Sequence, residues 1–233
     1  LLSTLDLPLD DIHDLAVSGD LVLVAAGEAG LQAVNIADPT APMKVGEQLL
    51  SGSARGIEIR GSYAYVAAGL DGLEIVDITD PELPQVSSID TFGLANRVDL
   101  AGDLALVAGE APDLFATTNS GLTIIDISNP ASPSVVSRLD LAPARADYRS
   151  GGTYGVRAAG SLAAAVTEVV NQEGSFVKSL VQLIDISDPQ NPAVIANANI
   201  NARAYELDIH DEYIAVAAGS AGVKVISIPF PFV

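Results

Sequence analysis

Four stretches of this 233-residue sequence spell one pattern: GLQAVNIADP (30–39), GLEIVDITDP (72–81), GLTIIDISNP (121–130) and LVQLIDISDP (180–189). A fifth, GVKVISIPFP (222–231), keeps the apolar alternation and loses the Asp. Upstream of each lies a second shared stretch: LVLVAAG (21–27), YAYVAAG (63–69), LALVAGE (104–110), LAAAVTE (162–168) and YIAVAAG (213–219). Before those come two apolar residues two positions apart and a closing Gly. The members are Leu15/Val17/Gly19, Ile57/Ile59/Gly61, Val98/Leu100/Gly102 and Val156/Ala158/Gly160, with Leu207/Ile209/Asp211 as the fifth. A fourth stretch follows the Asp-Pro turn, as in QVSSIDT (85–91) and VVSRLDL (135–141).

Each unit therefore reads as four short strands rich in Val, Ile and Leu, separated by Gly and Asp-Pro or Asn-Pro turns. No unit shows a helical period, which sets aside leucine-rich and helical repeats. Four-stranded repeats of this length are the mark of propeller blades. Third strands such as 73–78 are apolar on both faces, as expected of a sheet sandwiched between two neighbours. The spacing predicts an all-β, five-bladed β-propeller of four antiparallel strands per blade, one domain over 1–233. Its units run 12–52, 53–93, 94–143, 144–201 and 202–233. Residues 1–8, LLSTLDLP, match the fourth-strand stretch VVSRLDLAP. They are expected to complete the last blade and close the ring, leaving no open sheet edge.

Asp77, Asp126 and Asp185, with Asn35 in the first unit, end the third strands. Their side chains can accept backbone N–H groups across turns that Pro81, Pro130 and Pro189 stiffen. A residue repeated in nearly every unit argues for fold over a unique site. The strings GLEIVDITDP and GLTIIDISNP resemble the LVIVD repeat of bacterial and archaeal proteins. The resemblance implies a propeller and a secreted or cell-surface setting, and carries over no catalytic residue. Asn35 and Ser227 depart from its Asp.

Thirty acidic residues against eleven Lys and Arg give a net charge of −19. Nucleic acid and anionic membranes require clustered cations, so neither is an expected partner. No apolar run reaches the length of a spanning helix. Without Cys there is no thiolate chemistry and no disulfide framework. The start LLSTLDLPLD has neither Met nor a basic n-region, and reads as a mature or excised domain.

Function is expected where the repeat is interrupted. Gly19, Gly61 and Gly102 are 42 and 41 residues apart, but the next intervals are 58 to Gly160 and 51 to Asp211. The extra length falls in 111–120, 142–153 and 169–179, all on connections that emerge from one face beside blades three and four. Loops on a rigid scaffold are where binding resides. Arg138, Arg145, Arg149 and Arg157 cluster there with Tyr148 and Tyr154, and Phe115 and Phe176 lie on the neighbouring insertions. Arg forks and aromatic rims suit carboxylate, phosphate or protein-surface recognition. Arg145, Tyr148, Arg149, Tyr154, Arg157, Phe115 and Phe176 are the candidate binding residues.

A second constellation comes from one register of the inner strands: Ala16, Glu58, Asp99, Arg157 and Asp208. Three carboxylates and one Arg near an axis line a polar channel that could hold ordered water or a hard cation such as calcium. No calcium-loop string appears, and no cofactor is expected. The only histidines, His13 and His210, occupy different positions of the repeat. No nucleophile elbow or phosphate loop is present. The sequence thus favours a noncatalytic extracellular or cell-surface module that binds a protein or a surface polymer. The alternative is a glycan-processing or small-ligand propeller working through Glu58, Asp99 and Asp208.

Overall fold

The computed structural model describes residues 2–7, 11–80, 82–91, 93–110, 120–141, 148–210 and 212–228. Its strands sort into five antiparallel sheets, each built from consecutive strands. Blade 1 comprises β1 (Asp14–Ser18), β2 (Leu21–Ala25), β3 (Leu31–Asn35) and β4 (Met43–Gln48). Blade 2 comprises β5 (Gly56–Arg60), β6 (Tyr63–Ala67), β7 (Leu73–Asp77) and β8 (Gln85–Ile89). Blade 3 comprises β9 (Leu94–Ala101), β10 (Leu104–Glu110), β11 (Gly121–Asp126) and β12 (Ser134–Asp140). Blade 4 comprises β13 (Tyr148–Ala159), β14 (Leu162–Asn171), β15 (Phe176–Asp185) and β16 (Ala193–Ile200). Among the described residues blade 5 has three strands: β17 (Glu206–His210), β18 (Tyr213–Ala217) and β19 (Val223–Ser227).

Local chemistry sets these boundaries. Gly19, Gly61, Gly102 and Gly160 take φ between 56° and 59° in two-residue turns from the first strand to the second, a conformation glycine adopts without a Cβ penalty. At the end of the third strand, Asp77, Asp126 and Asp185 each accept the backbone N–H two residues on, at 2.8–2.9 Å, and Asn35 does the same. The Thr79 hydroxyl adds a second bond to Asp77. These bonds hold the three carboxyls below the usual Asp range: mainly the Thr79 hydroxyl at Asp77, and the backbone N–H of Ser128 and Ser187 at Asp126 and Asp185. The repeated Asp is a turn element.

Four apolar clusters make up the core, one between each pair of successive blades. Each blade presents a leading face to its predecessor and a trailing face to its successor. In blade 2 the leading face carries Ile57, Ala64, Val66 and Val76, packed on Leu23, Ala25, Leu31 and Ala33 of blade 1. The trailing face carries Tyr65, Ala67, Leu73 and Ile75, packed on blade 3. First strands pack on one another around a central channel, β1 on β5, β5 on β9, β9 on β13 and β13 on β17.

Two expectations require correction. Residues 169–179 are not a widened loop. Val169–Asn171 and Phe176–Ser179 prolong β14 and β15, and β13 lengthens beside them from Tyr148, so blade 4 projects past its neighbours as an extended sheet. The pairing holds because all three strands gained residues at the same end. Second, no ring closure by residues 1–8 is found: among the described residues no strand pairs with the outer edge of β19, and residues 2–7 are not in a strand. The consequence is visible in burial. Ile57 and Leu207 are 2% exposed, whereas Leu15, at the same register of blade 1, is 58% exposed. On the trailing side Leu73 is fully buried, and its counterpart Val223 in blade 5 is 72% exposed.

Candidate functional site

The first strands deliver two stacked polar layers to the channel. The lower is the register expected from the sequence: Ala16, Glu58, Asp99, Arg157 and Asp208 face Leu23, Tyr65, Leu106, Ala164 and Ala215 across their ladders. Two residues earlier lies an upper layer, Asp14, Gly56, Arg97, Gly155 and Glu206, nearer the second-to-third-strand turns. The period of two puts both layers on one side of each strand.

Arg97 organises the upper layer. Its Nε donates to Glu206 Oε2 at 3.1 Å, its Nη1 lies 3.3 Å from Asp14 Oδ2, and Nη1 donates to the Arg55 carbonyl at 2.8 Å. One guanidinium of blade 3 thereby holds blades 1, 2 and 5. Gly56 makes room for it, since a Cβ there would stand 2.9 Å from Arg97 Cα and 3.0 Å from the Asn96 carbonyl. Asp14 Oδ2 also accepts the Ile57 N–H at 3.1 Å.

In the lower layer Asp99 Oδ2 accepts the Ala158 N–H at 2.5 Å, which ties blade 3 to blade 4. Arg157 Nη2 lies 3.7 Å from Glu206 Oε1 and links the layers. Burial, and then the neighbouring Asp99, push the Glu58 carboxyl up to about 7, against the pull of Arg157. Burial also raises Asp99, opposed chiefly by its bond from Ala158. A carboxyl in the range of Glu58 can hold or release a proton near neutral pH. Among the described residues, no group of three or more His, Asp or Glu side chains is arranged to hold a metal ion.

At the upper mouth a cleft of about 210 Å³ is lined by His13, Arg55, Asn96, Arg97, Tyr154 and Tyr205. The Tyr154 hydroxyl donates to Glu110 Oε2 at 2.9 Å, and its ring meets Tyr205 edge to face at 6.5 Å. Burial and then Glu110 raise the Tyr154 phenol above its ordinary value, so it remains a hydrogen-bond donor. Arg55 Nη1 donates to Asn96 Oδ1 at 2.8 Å. Beside the cleft, Arg203 donates to Glu168 Oε2 at 2.7 Å and stacks over Phe176 at 4.8 Å.

The candidate residues from the sequence separate into three places. Tyr154 and Phe176 lie at the mouth. Arg157 belongs to the channel, with Glu58, Asp99 and Asp208, and not to the surface patch. Tyr148 and Arg149 open β13, opposite Asn171 and Val170; Arg138 is on β12, the outer strand of blade 3. Arg145 and Phe115 lie outside the described residues. The sequence reading missed Arg55, Arg97, Arg203, Tyr205 and Glu206. For Arg97 and Glu206, stepping back two residues along each first strand would have found them.

The LVIVD-repeat model matches residues 11–48, 51–91 and 93–140, more than half of the chain. The chain belongs to the LVIVD-repeat family. No curated protein matches it. Among solved structures, this LVIVD-repeat chain is similar to a functionally unknown protein from Desulfotomaculum acetoxidans. Identity is 15% and the TM-score 0.70, over 96% of this chain and 67% of that one. The Cps50 (Swd1) β-propeller domain of Myceliophteria thermophila gives 13% and 0.64, over 90% and 67%. The computationally designed Ika8 protein gives 11% and 0.57, over 93% and 71%. At these identities the likeness concerns fold alone, and that fold is the β-propeller.

Proposed function

We propose that this LVIVD-repeat domain is a noncatalytic interaction module of the cell surface or extracellular space, binding a protein or surface polymer at the upper mouth. The observation that carries the reading is the projecting end of blade 4. Elongated β13, β14 and β15 raise Phe176 beside Arg203, and bring Tyr154 against Tyr205 and the Arg55–Arg97 cleft. Aromatic rings and Arg forks on a rigid sheet are the residue types that anchor interfaces. In a domain of net charge −19, Arg55, Arg97 and Arg203 gather guanidinium donors at this mouth, each beside a carboxylate of the chain.

The test is capture from a cell-envelope extract on the immobilised domain. Phe176→Ser with Arg203→Ser, and separately Tyr205→Ser, should abolish retention, while Met43→Ser on blade 1 should leave it unchanged. Retention indifferent to the mouth variants would sink the proposal. The raised Glu58 beside Asp99 favours a second reading, a glycan-processing or small-ligand site in the channel. It requires Glu58→Gln to abolish turnover of a glycan while the mouth variants do not.

A further inference from the structure

Behind the mouth cleft runs a chain of buried polar groups. Asn96 of β9 accepts from Arg55 at its Oδ1, and its Nδ2 donates to the Thr153 carbonyl at 3.3 Å. The Thr153 and Thr167 hydroxyls share a 3.1 Å hydrogen bond, and Thr167 donates to Gln182 Oε1 at 2.9 Å. Asn96, Thr153, Thr167 and Gln182 are all buried, the two Thr residues completely. Where β14 carries Thr167, the other second-strand stretches carry Ala26, Ala68, Gly109 and Ala218. Buried polar groups cost stability unless each is bonded, and a bonded series of them fixes the groups at its ends. The end of this series is Arg55, whose guanidinium is thereby held in the wall of the cleft.

The charges around the cleft are already balanced. Arg55 Nη1 lies 3.6 Å from Glu110 Oε1, Arg97 sits between Asp14 and Glu206, and Arg203 bonds Glu168. Three guanidiniums facing four carboxylates leave no surplus positive charge for an anion. A cationic group would in turn meet Arg55 and Arg97 in the wall. A guanidinium only donates and a carboxylate only accepts, and here the two alternate around one opening. A hydroxyl does both, accepting from an Arg while it donates to the carboxylate beside it. Among the described residues the Arg55 guanidinium donates a single hydrogen bond, so donors remain on it for such a group.

The remaining wall is aromatic. Tyr154 and Tyr205 meet edge to face, and Tyr205 is half exposed. A tyrosine ring packs on the C–H face of a pyranose, whose rim carries hydroxyls. At about 210 Å³ the cleft is smaller than the ~300–1,000 Å³ pockets that enclose drug-sized ligands, and takes one ring-sized unit.

We infer, on the reading of the mouth as the binding face, that this cleft takes one uncharged sugar unit of a surface glycan. The sugar hydroxyls bridge the Arg–carboxylate pairs, and its C–H face lies against Tyr205. A uronate would face the four carboxylates, and an amino sugar the two guanidiniums of the wall. The partner of the mouth is then a neutral polysaccharide.

The test is binding of the intact chain to immobilised oligosaccharides of glucose, galactose, mannose and N-acetylglucosamine, with uronate-bearing and amine-bearing counterparts beside them. The neutral units should be retained, with an affinity that changes less than about twofold between low and high salt, since no net charge is neutralised. Arg55→Met and Tyr205→Ser should each weaken binding at least about tenfold with an unchanged circular dichroism spectrum, and Met43→Ser should not. Arg55→Lys keeps the charge and loses the fork, and should weaken binding nearly as far. Retention of the charged glycans alone would overturn the inference, as would neutral binding indifferent to Arg55→Met and Tyr205→Ser. Failure to retain any neutral unit would also overturn it, and the cell-envelope extract then separates two cases. Mouth-dependent retention that survives periodate cleavage of vicinal diols and is lost on protease treatment keeps the mouth as the binding face and makes its partner a protein. No retention from the extract removes both.

Discussion

Replacing Glu58 by Gln is a direct probe of the channel. The carboxyl rises from 4.5 to about 7, first through burial and then through Asp99. Between those values the unfolded chain has already lost a proton that the folded chain retains, so this group lowers stability as pH rises. A rise of that size is worth at most about 3 kcal/mol. Glu58 is only half-buried and faces a channel open to water, so screening reduces the figure to about 1–2 kcal/mol. Gln keeps the shape and cannot ionise. Urea unfolding followed by circular dichroism should give wild type and E58Q similar stability at pH 4. By pH 8 the variant should be ahead by about 1–2 kcal/mol. Glu74 and Glu168, which burial also raises and which do not act on Glu58, titrate in both proteins and drop out of the difference, whereas the repulsion between Glu58 and Asp99 is part of what the substitution removes. A difference that stays flat from pH 4 to pH 8 would refute the assignment of Glu58 to a crowded, desolvated channel.

Two further outcomes follow from packing and charge. Leu207→Ala empties a filled interface and should cost about 3–5 kcal/mol in urea unfolding, while Leu15→Ala, at the same register of blade 1 but exposed, should cost under about 1 kcal/mol. Arg97→Met keeps the stem but leaves Asp14 and Glu206 facing each other across the mouth. It should cost about 2 kcal/mol, with the loss measured by the same unfolding curves and partly recovered in Glu206→Gln/Arg97→Met.

The strands were legible because each carries its own punctuation. Gly at positive φ closes the first turn, and an Asp accepting the N–H two residues on closes the third strand. Both are local rules, so they survive translation from sequence to structure. The lower channel layer was legible for the same reason, being one register of a recurring strand. The upper layer was not, because Asp14, Gly56, Arg97, Gly155 and Glu206 look unlike one another, and two of them act by having no side chain. The extension of blade 4 was read as loops because each strand, taken alone, gains only a few residues. Only their mutual pairing shows a sheet. Closure at the ends was predicted from the match of residues 1–8 to an outer strand. The Ser3 hydroxyl bonds the Pro39 carbonyl at 2.7 Å, as Ser87 and Ser137 bond Pro130 and Pro189, so that likeness holds, but pairing with β19 depends on how the blades pack on one another and is not written in any single strand.

Repeat arrays in which each unit touches only the next unfold from their ends, because cooperativity passes between nearest neighbours alone. Arg97 departs from that rule. By reaching from the third unit to the first, second and fifth, it couples the terminal units to the middle one directly. Fraying of an end blade must then break an ionic contact at the centre of the molecule, so a single side chain converts a linear array into one that melts as a unit.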